Sequence, residues 1–221
     1  MLFLHGYLSQ GASFFYQTEY FKSLFNVHAP DLTGFGNNSF MPYPYSLDDY
    51  VESVYKYMEE KGICKPHVIA HSFGARIVIK ALVKYPDLFD KIVFTGGAGL
   101  KSRWSFKKAL KRKAFKLLKW IFPRRKLHIF YSKDYLSLSP VMKKSFIKIV
   151  GEHLDGYIAS ITNPLLLIYG EKDKETPLYM AKKLHKEIKT SQLKVYKGAG
   201  HFAFIDCPHK FNMEVREFLL S

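Results

Sequence analysis

The stretch from His67 to Val83 leaves this chain little choice of fold. Val68, Ile69 and Ala70 make an apolar run that reads as a buried parallel strand, and Arg76 to Val83 begins a helix after a turn only about three residues long. Ser72 falls in that turn. A serine held in so tight a bend has its hydroxyl pushed out beyond the sheet edge, and the N–H groups of the new helix point toward it. Side chains two positions either side of such a serine are crowded, so Gly or Ala is needed there; the sequence supplies Ala70 and Gly74 around His71-Ser72-Phe73. This is how a nucleophile is presented.

Composition narrows the setting. With 221 residues, 48% apolar and 16% aromatic, the chain can bury one substantial domain and is not disordered. Cys64 and Cys207 form no metal-binding pattern, so no metal is expected and a reducing, cytoplasmic compartment is the default. Met1 to His5 is apolar but has no charged leader and is far too short for a signal sequence or a membrane span. The net charge is +15, yet residues 101–126 hold twelve Lys or Arg and no acid, leaving 22 basic against 19 acidic residues elsewhere. That distribution favours a local basic helix over general nucleic-acid affinity.

Short apolar runs at Met1–Leu4, Asn26–Pro30, Lys91–Thr95, Pro164–Tyr169 and Gln192–Tyr196 read as further strands. Between them lie helical patterns, among them Leu47 to Met58, introduced by Ser46 and Asp49 as a capping box. Strand and helix stop alternating for about sixty residues after Gly99. There Arg103 to Phe122 reads as an amphipathic helix and Ser139 to Glu152 as a second. The glycines of Asp31-Leu32-Thr33-Gly34-Phe35-Gly36 have neither phosphate-loop spacing, and Asp31 is expected to accept backbone hydrogen bonds across that turn.

Taken with Ala70-His71-Ser72-Phe73-Gly74, these strand ends resemble the α/β-hydrolase superfamily over nearly the whole chain. The resemblance implies an α/β-hydrolase fold. Its mostly parallel sheet would have about six strands, lacking the first two family strands, with helices on both faces and Asn26–Pro30 at one edge. An open edge there is met by dimerisation, giving a homodimer, or by the first helix packing nearby. The core would be 1–100 and 160–221, with a helical lid at 101–159. By the same resemblance the His5-Gly6 pair ends the strand that supplies one oxyanion donor, the N–H of Tyr7; the second is the N–H of Phe73. His5, Gly6 and His71 would line the substrate site. Gly170-Glu171-Lys172-Asp173 is similar to the family's acid loop, with Asp173 the acid and Glu171 its competitor. Gly198-Ala199-Gly200-His201-Phe202 is similar to its histidine loop.

A serine hydroxyl is hardly ionised at neutral pH and needs a base of pKa near 7 and donors for the developing oxyanion. Ser72, Asp173 and His201 stand in the chain order of this fold. The resemblance therefore implies a serine hydrolase of small or medium carboxylic esters, with no cofactor. Alternatives are another acyl or C–C bond, or a non-catalytic binding protein. The basic face of 103–126 has three readings: a solvated outer surface, weak contact with an anionic membrane, or attraction of an anionic substrate.

Overall fold

The computed structural model describes residues 1–102 and 138–221. Five parallel strands, β1 (Leu2–Leu4), β2 (Val68–His71), β3 (Ile92–Thr95), β4 (Leu165–Gly170) and β5 (Ser191–Tyr196), lie side by side in chain order. Among the described residues the helices are α1 (Phe15–Phe21), α2 (Leu47–Glu60), α3 (Phe73–Lys84), α4 (Pro140–Gly151), α5 (Leu178–Glu187), α6 (Ala203–Asp206) and α7 (Pro208–Leu220). The basic helix read at Arg103–Phe122, and with it the membrane-facing surface of 103–126, lies outside the described residues.

Strand alternation divides the core in two. Leu2, Leu4, Val68, Ala70, Ile92, Phe94, Leu165 and Leu167 face α2, α3, α4 and α5. Phe3, Ile69, Val93, Leu166 and Ile168 face α1, α6 and α7. Both faces of the central strands are therefore dry, which is why they read as unbroken apolar runs rather than alternating ones. Local signals start the helices: Ser46 and Asp49 form the capping box of α2, and the Ser139 hydroxyl accepts from the Met142 N–H to start α4. On the opposite face, Gln17 Nε2 donates to the Phe204 carbonyl at 2.8 Å and Asn212 Nδ2 to the Tyr16 carbonyl at 3.2 Å, tying α1 to α6 and α7.

The edge differs from expectation. Asn26–Pro30 is not a sixth strand but a single bridge, Leu2 to His28. His28 makes two backbone bonds along this edge: the Phe3 N–H donates to its carbonyl at 2.8 Å, and its own N–H donates to the carbonyl of Met1, just before β1, at 2.9 Å. The ladder then stops, because Pro30 has no N–H to extend it and the Ala29 carbonyl lies against Gly11.

The need for a small residue at 74 also has a different origin from the one expected. A β-carbon on Gly74 would overlap the carbonyl of Leu4 on the neighbouring strand, so the constraint comes from how deeply α3 is seated against β1. Gly74→Ala is expected to destabilise the fold by about 2–3 kcal/mol, read as a lower urea midpoint. A loss under about 0.5 kcal/mol would mean that the helix is not seated this closely.

Candidate active site

Ser72 sits between β2 and α3 with φ 47° and ψ −102°, one of few non-glycine residues with positive φ among those described. Such backbone costs on the order of 1–3 kcal/mol and persists only when its surroundings fix it. Here they do: the Ser72 N–H donates to the Thr95 carbonyl at 3.2 Å, and the Ser72 carbonyl accepts from the N–H groups of Ala98 at 3.1 Å and Ala75 at 3.2 Å. Phe73 is the first residue of α3, so its N–H is one of the amides that a helix start leaves without an intrahelical partner.

His201 and Asp173 meet at the ends of β4 and β5. His201 Nδ1 lies 2.8 Å from Asp173 Oδ2. A carboxylate only accepts, so Nδ1 carries the proton and Nε2 is left as the basic nitrogen. The His201 ring lies over Gly96, where an added β-carbon would come within 3.0 Å of Nδ1. Gly96 follows Thr95, the register partner of His71, so it is level with Ser72 on the adjacent strand. The Asp173 side chain is inaccessible to solvent. Burial would raise its pKa, but bonds from His201 and Thr176 outweigh that and hold the carboxyl below its usual range.

Thr176 was not anticipated. Its backbone N–H and that of Glu175 donate to Asp173 Oδ1, at 2.9 and 2.8 Å. Its hydroxyl lies 2.7 Å from Asp173 Oδ2, 3.0 Å from the Gly96 carbonyl and 3.3 Å from His201 Nδ1. A threonine three residues beyond a loop aspartate is a recognisable turn signal, but its contacts with residues 96 and 201 are visible only in the fold. Glu171, the competing acid, is engaged elsewhere: its carboxylate accepts from the Gly198 N–H at 3.0 Å and so braces the histidine loop.

His5 and Gly6 serve the turn itself. His5 is fully buried; its Nδ1 bonds the Gly6 carbonyl at 2.8 Å, while Nε2 accepts from the Leu32 N–H at 2.9 Å. With both ring nitrogens engaged by backbone, His5 does not face a substrate as expected. The Gly6 carbonyl also accepts from the Ser9 N–H at 3.2 Å. In a trans peptide the C=O and the following N–H point in opposite directions, so fixing this carbonyl aims the Tyr7 N–H the other way. A β-carbon on Gly6 would lie 2.6 Å from His71 Nδ1 and 3.5 Å from the Ser72 β-carbon, which puts this turn directly against the elbow. Asp31 acts as expected, accepting from the N–H groups of Gly11 at 2.7 Å and Asn37 at 2.8 Å.

His71 was also expected to line the substrate site, but the residue is only 1% exposed and its Nε2 lies 3.1 Å from the His201 carbonyl. Above the elbow, Tyr7 packs against Phe35, Phe73 and Phe146 and donates its hydroxyl to the Met142 carbonyl on α4 at 3.1 Å. The guanidinium of Arg76 on α3 donates to the carbonyls of Ile149 and Glu152 at the far end of α4. Among the described residues no three His, Cys, Asp or Glu side chains converge as a metal site would.

A family model described as the alpha/beta hydrolase fold matches residues 1–130. The chain belongs to the α/β hydrolase fold family. A second model, described as TAP-like protein, matches residues 151–221 of this α/β hydrolase. Protein ABHD8 of Bos taurus is 23% identical over 246 residues, covering 100% of this chain and 56% of its own length; the chain thus spans about half the length of that relative. The solved meta-cleavage product hydrolase CumD from Pseudomonas fluorescens IP01 superposes with a TM-score of 0.75 at 24% identity, covering 99% of this chain and 89% of its own. An esterase, EaEST, from Exiguobacterium antarcticum superposes with a TM-score of 0.77 at 20% identity, covering 100% and 91%.

Burial, together with the nearby His201 charge, lowers the pKa of the His71 imidazole from 6.5 to about 3, against weaker opposing effects of its bond to His201 and of Asp173; His5 adds a further small lowering. Between those values the unfolded chain binds the extra proton, so His71 makes the fold more stable above pH 6.5 and less so as pH falls toward 3, at about 1.4 kcal/mol per pH unit. From pH 7 to pH 5 the wild type should lose about 2 kcal/mol more than His71→Gln by urea titration. Parallel losses would show that this imidazole does not remain neutral in the folded state.

Proposed function

We propose that this chain is a serine hydrolase in which Ser72, His201 and Asp173 form a catalytic triad, acting on small or medium carboxylic esters. The observation that carries the reading is the 2.8 Å contact between His201 Nδ1 and Asp173 Oδ2, seated over Gly96 beside the strained elbow of Ser72.

In this reaction His201 Nε2 takes the Ser72 proton as Oγ bonds to the acyl carbon. The carbonyl oxygen becomes an oxyanion facing the N–H groups of Tyr7 and Phe73, each such donor worth about 3 kcal/mol of barrier in a comparable site. The tetrahedral adduct collapses, the alcohol leaves with the proton from His201, and the acyl group stays on Ser72. Water then attacks the acyl-enzyme with His201 again as base, releasing the acid and restoring the serine. Asp173 keeps its negative charge throughout, fixing the tautomer of His201 and stabilising its imidazolium.

A meta-cleavage product, the substrate class in the name of CumD, is a second candidate, since the same triad can serve C–C cleavage. The esterase fold neighbour supports ester cleavage to a similar degree. Comparing p-nitrophenyl esters of graded chain length with a meta-cleavage product separates the two.

Ser72→Ala should lower turnover of the preferred substrate about 10⁴-fold or more and abolish labelling by a fluorophosphonate probe. Full turnover by that variant would defeat the triad. Thr176→Val keeps the side-chain volume but removes the hydroxyl beside Asp173 and His201; kcat should fall about tenfold with KM nearly unchanged. An unchanged kcat would reduce Thr176 to a turn residue.

A further inference from the structure

The reaction above gives no role to His71, although its ring lies among the proposed catalytic parts. It is too buried to touch a substrate, and its ring is boxed by those of His201, Phe202 and Phe204 at centroid distances of 4.6, 4.8 and 5.1 Å. Its tautomer follows from its partner. Nε2 lies 3.1 Å from the His201 carbonyl, which only accepts, so Nε2 carries the proton. Nδ1 then holds a lone pair, buried and, among the described residues, with no hydrogen-bond partner, against the Gly6 backbone. A buried acceptor left unsatisfied is costly, and it persists here alongside a donor with a defined target.

That target is the backbone of the residue bearing the base. Other bonds also hold the backbone of the histidine loop, among them Gly198 N–H to Glu171, Lys172 N–H to the Ala199 carbonyl at 2.9 Å, and Gly200 N–H to Asp206 Oδ2 at 2.7 Å. These tie the loop to the end of β4 and to α6. The His71 bond ties it to the elbow, one residue before Ser72. We propose that His71 is a positioning residue whose Nε2–H, by bonding the His201 carbonyl, fixes the His201 imidazole relative to the Ser72 hydroxyl. The proposal rests on the triad reading and adds to it a side chain that touches neither substrate nor reacting atoms.

The test compares His71→Phe, which keeps an aromatic ring in the box but lacks the donor, with His71→Gln, whose amide restores a donor at similar reach. Thermal midpoint, kcat and KM on the preferred ester, rate of fluorophosphonate labelling, and the low-field proton resonance of the His201–Asp173 bond are measured for each. The Phe variant should fold and keep KM within about twofold. Its kcat and labelling rate should fall about tenfold to hundredfold, the size expected when a reacting pair is misplaced, and its low-field resonance should shift or broaden. The Gln variant should recover most of the rate. A Phe variant with wild-type kcat, or a Gln variant no faster than Phe, overturns the proposal while leaving an active triad standing. If His71→Phe does not fold, His71→Met carries the same expectation; failure of both to fold beside a folded Gln variant would assign the bond to stability and overturn the proposal. A wild-type chain inert to probe and esters would remove the triad reading and this one with it.

Discussion

The candidate site depends on backbone hydrogen bonds that carry the parallel ladder one step past the ends of its strands. The Ser72 N–H reaches the Thr95 carbonyl at 3.2 Å, and the Gly96 N–H reaches the Ile168 carbonyl at 3.0 Å. These bonds keep Ser72, Gly96 and the close of β4 level at one rim, so that loops leaving three different strands converge. The unfavourable φ of Ser72 is tolerated because its amide and carbonyl are both engaged by the segment running from β3 into residues 96–98. Without that lateral support the serine would relax toward ordinary backbone and its hydroxyl would turn away from the rim.

Close approach is the second constraint, and glycine marks where it operates. Gly6 brings the turn after β1 against the elbow, Gly74 lets α3 settle on the Leu4 carbonyl, and Gly96 leaves room for the imidazole of His201. Each lies where an ordinary side chain would force two parts of the site apart. In a dry, crowded region of this kind polar atoms also need partners. His5, Asp31, Glu171 and Thr176 supply them to loop backbone, and so give the loops definite shapes.

Much of this was legible in the sequence because it is local. The strand-turn-helix around Ser72, the capping box of α2 and the turns carrying Asp173 and His201 each depend on residues within a few positions of one another. What could not be read depends on the assembled fold. Asn26–Pro30 looks like a strand by composition, but Pro30 and the packing of Ala29 against Gly11 limit it to one bridge. His5 and His71 were expected to line the substrate site, but only three-dimensional packing reveals that both are buried, with the His5 nitrogens engaged by Gly6 and Leu32 and the His71 Nε2 by the His201 carbonyl. Thr176 escaped notice for the same reason: its partners are 80 and 25 residues away in the chain.

Arg76 has a mechanical consequence for the wall above the elbow. Arg76 is 7% exposed as a residue, its guanidinium is bonded to the carbonyls of Ile149 and Glu152, and its own helix, α3, begins at Phe73. Swinging the C-terminal end of α4 outward would strip a buried cation of its acceptors, at a cost of several kcal/mol, and would pull on the helix that offers the Phe73 amide. This end of α4 is therefore a fixed jamb rather than a door.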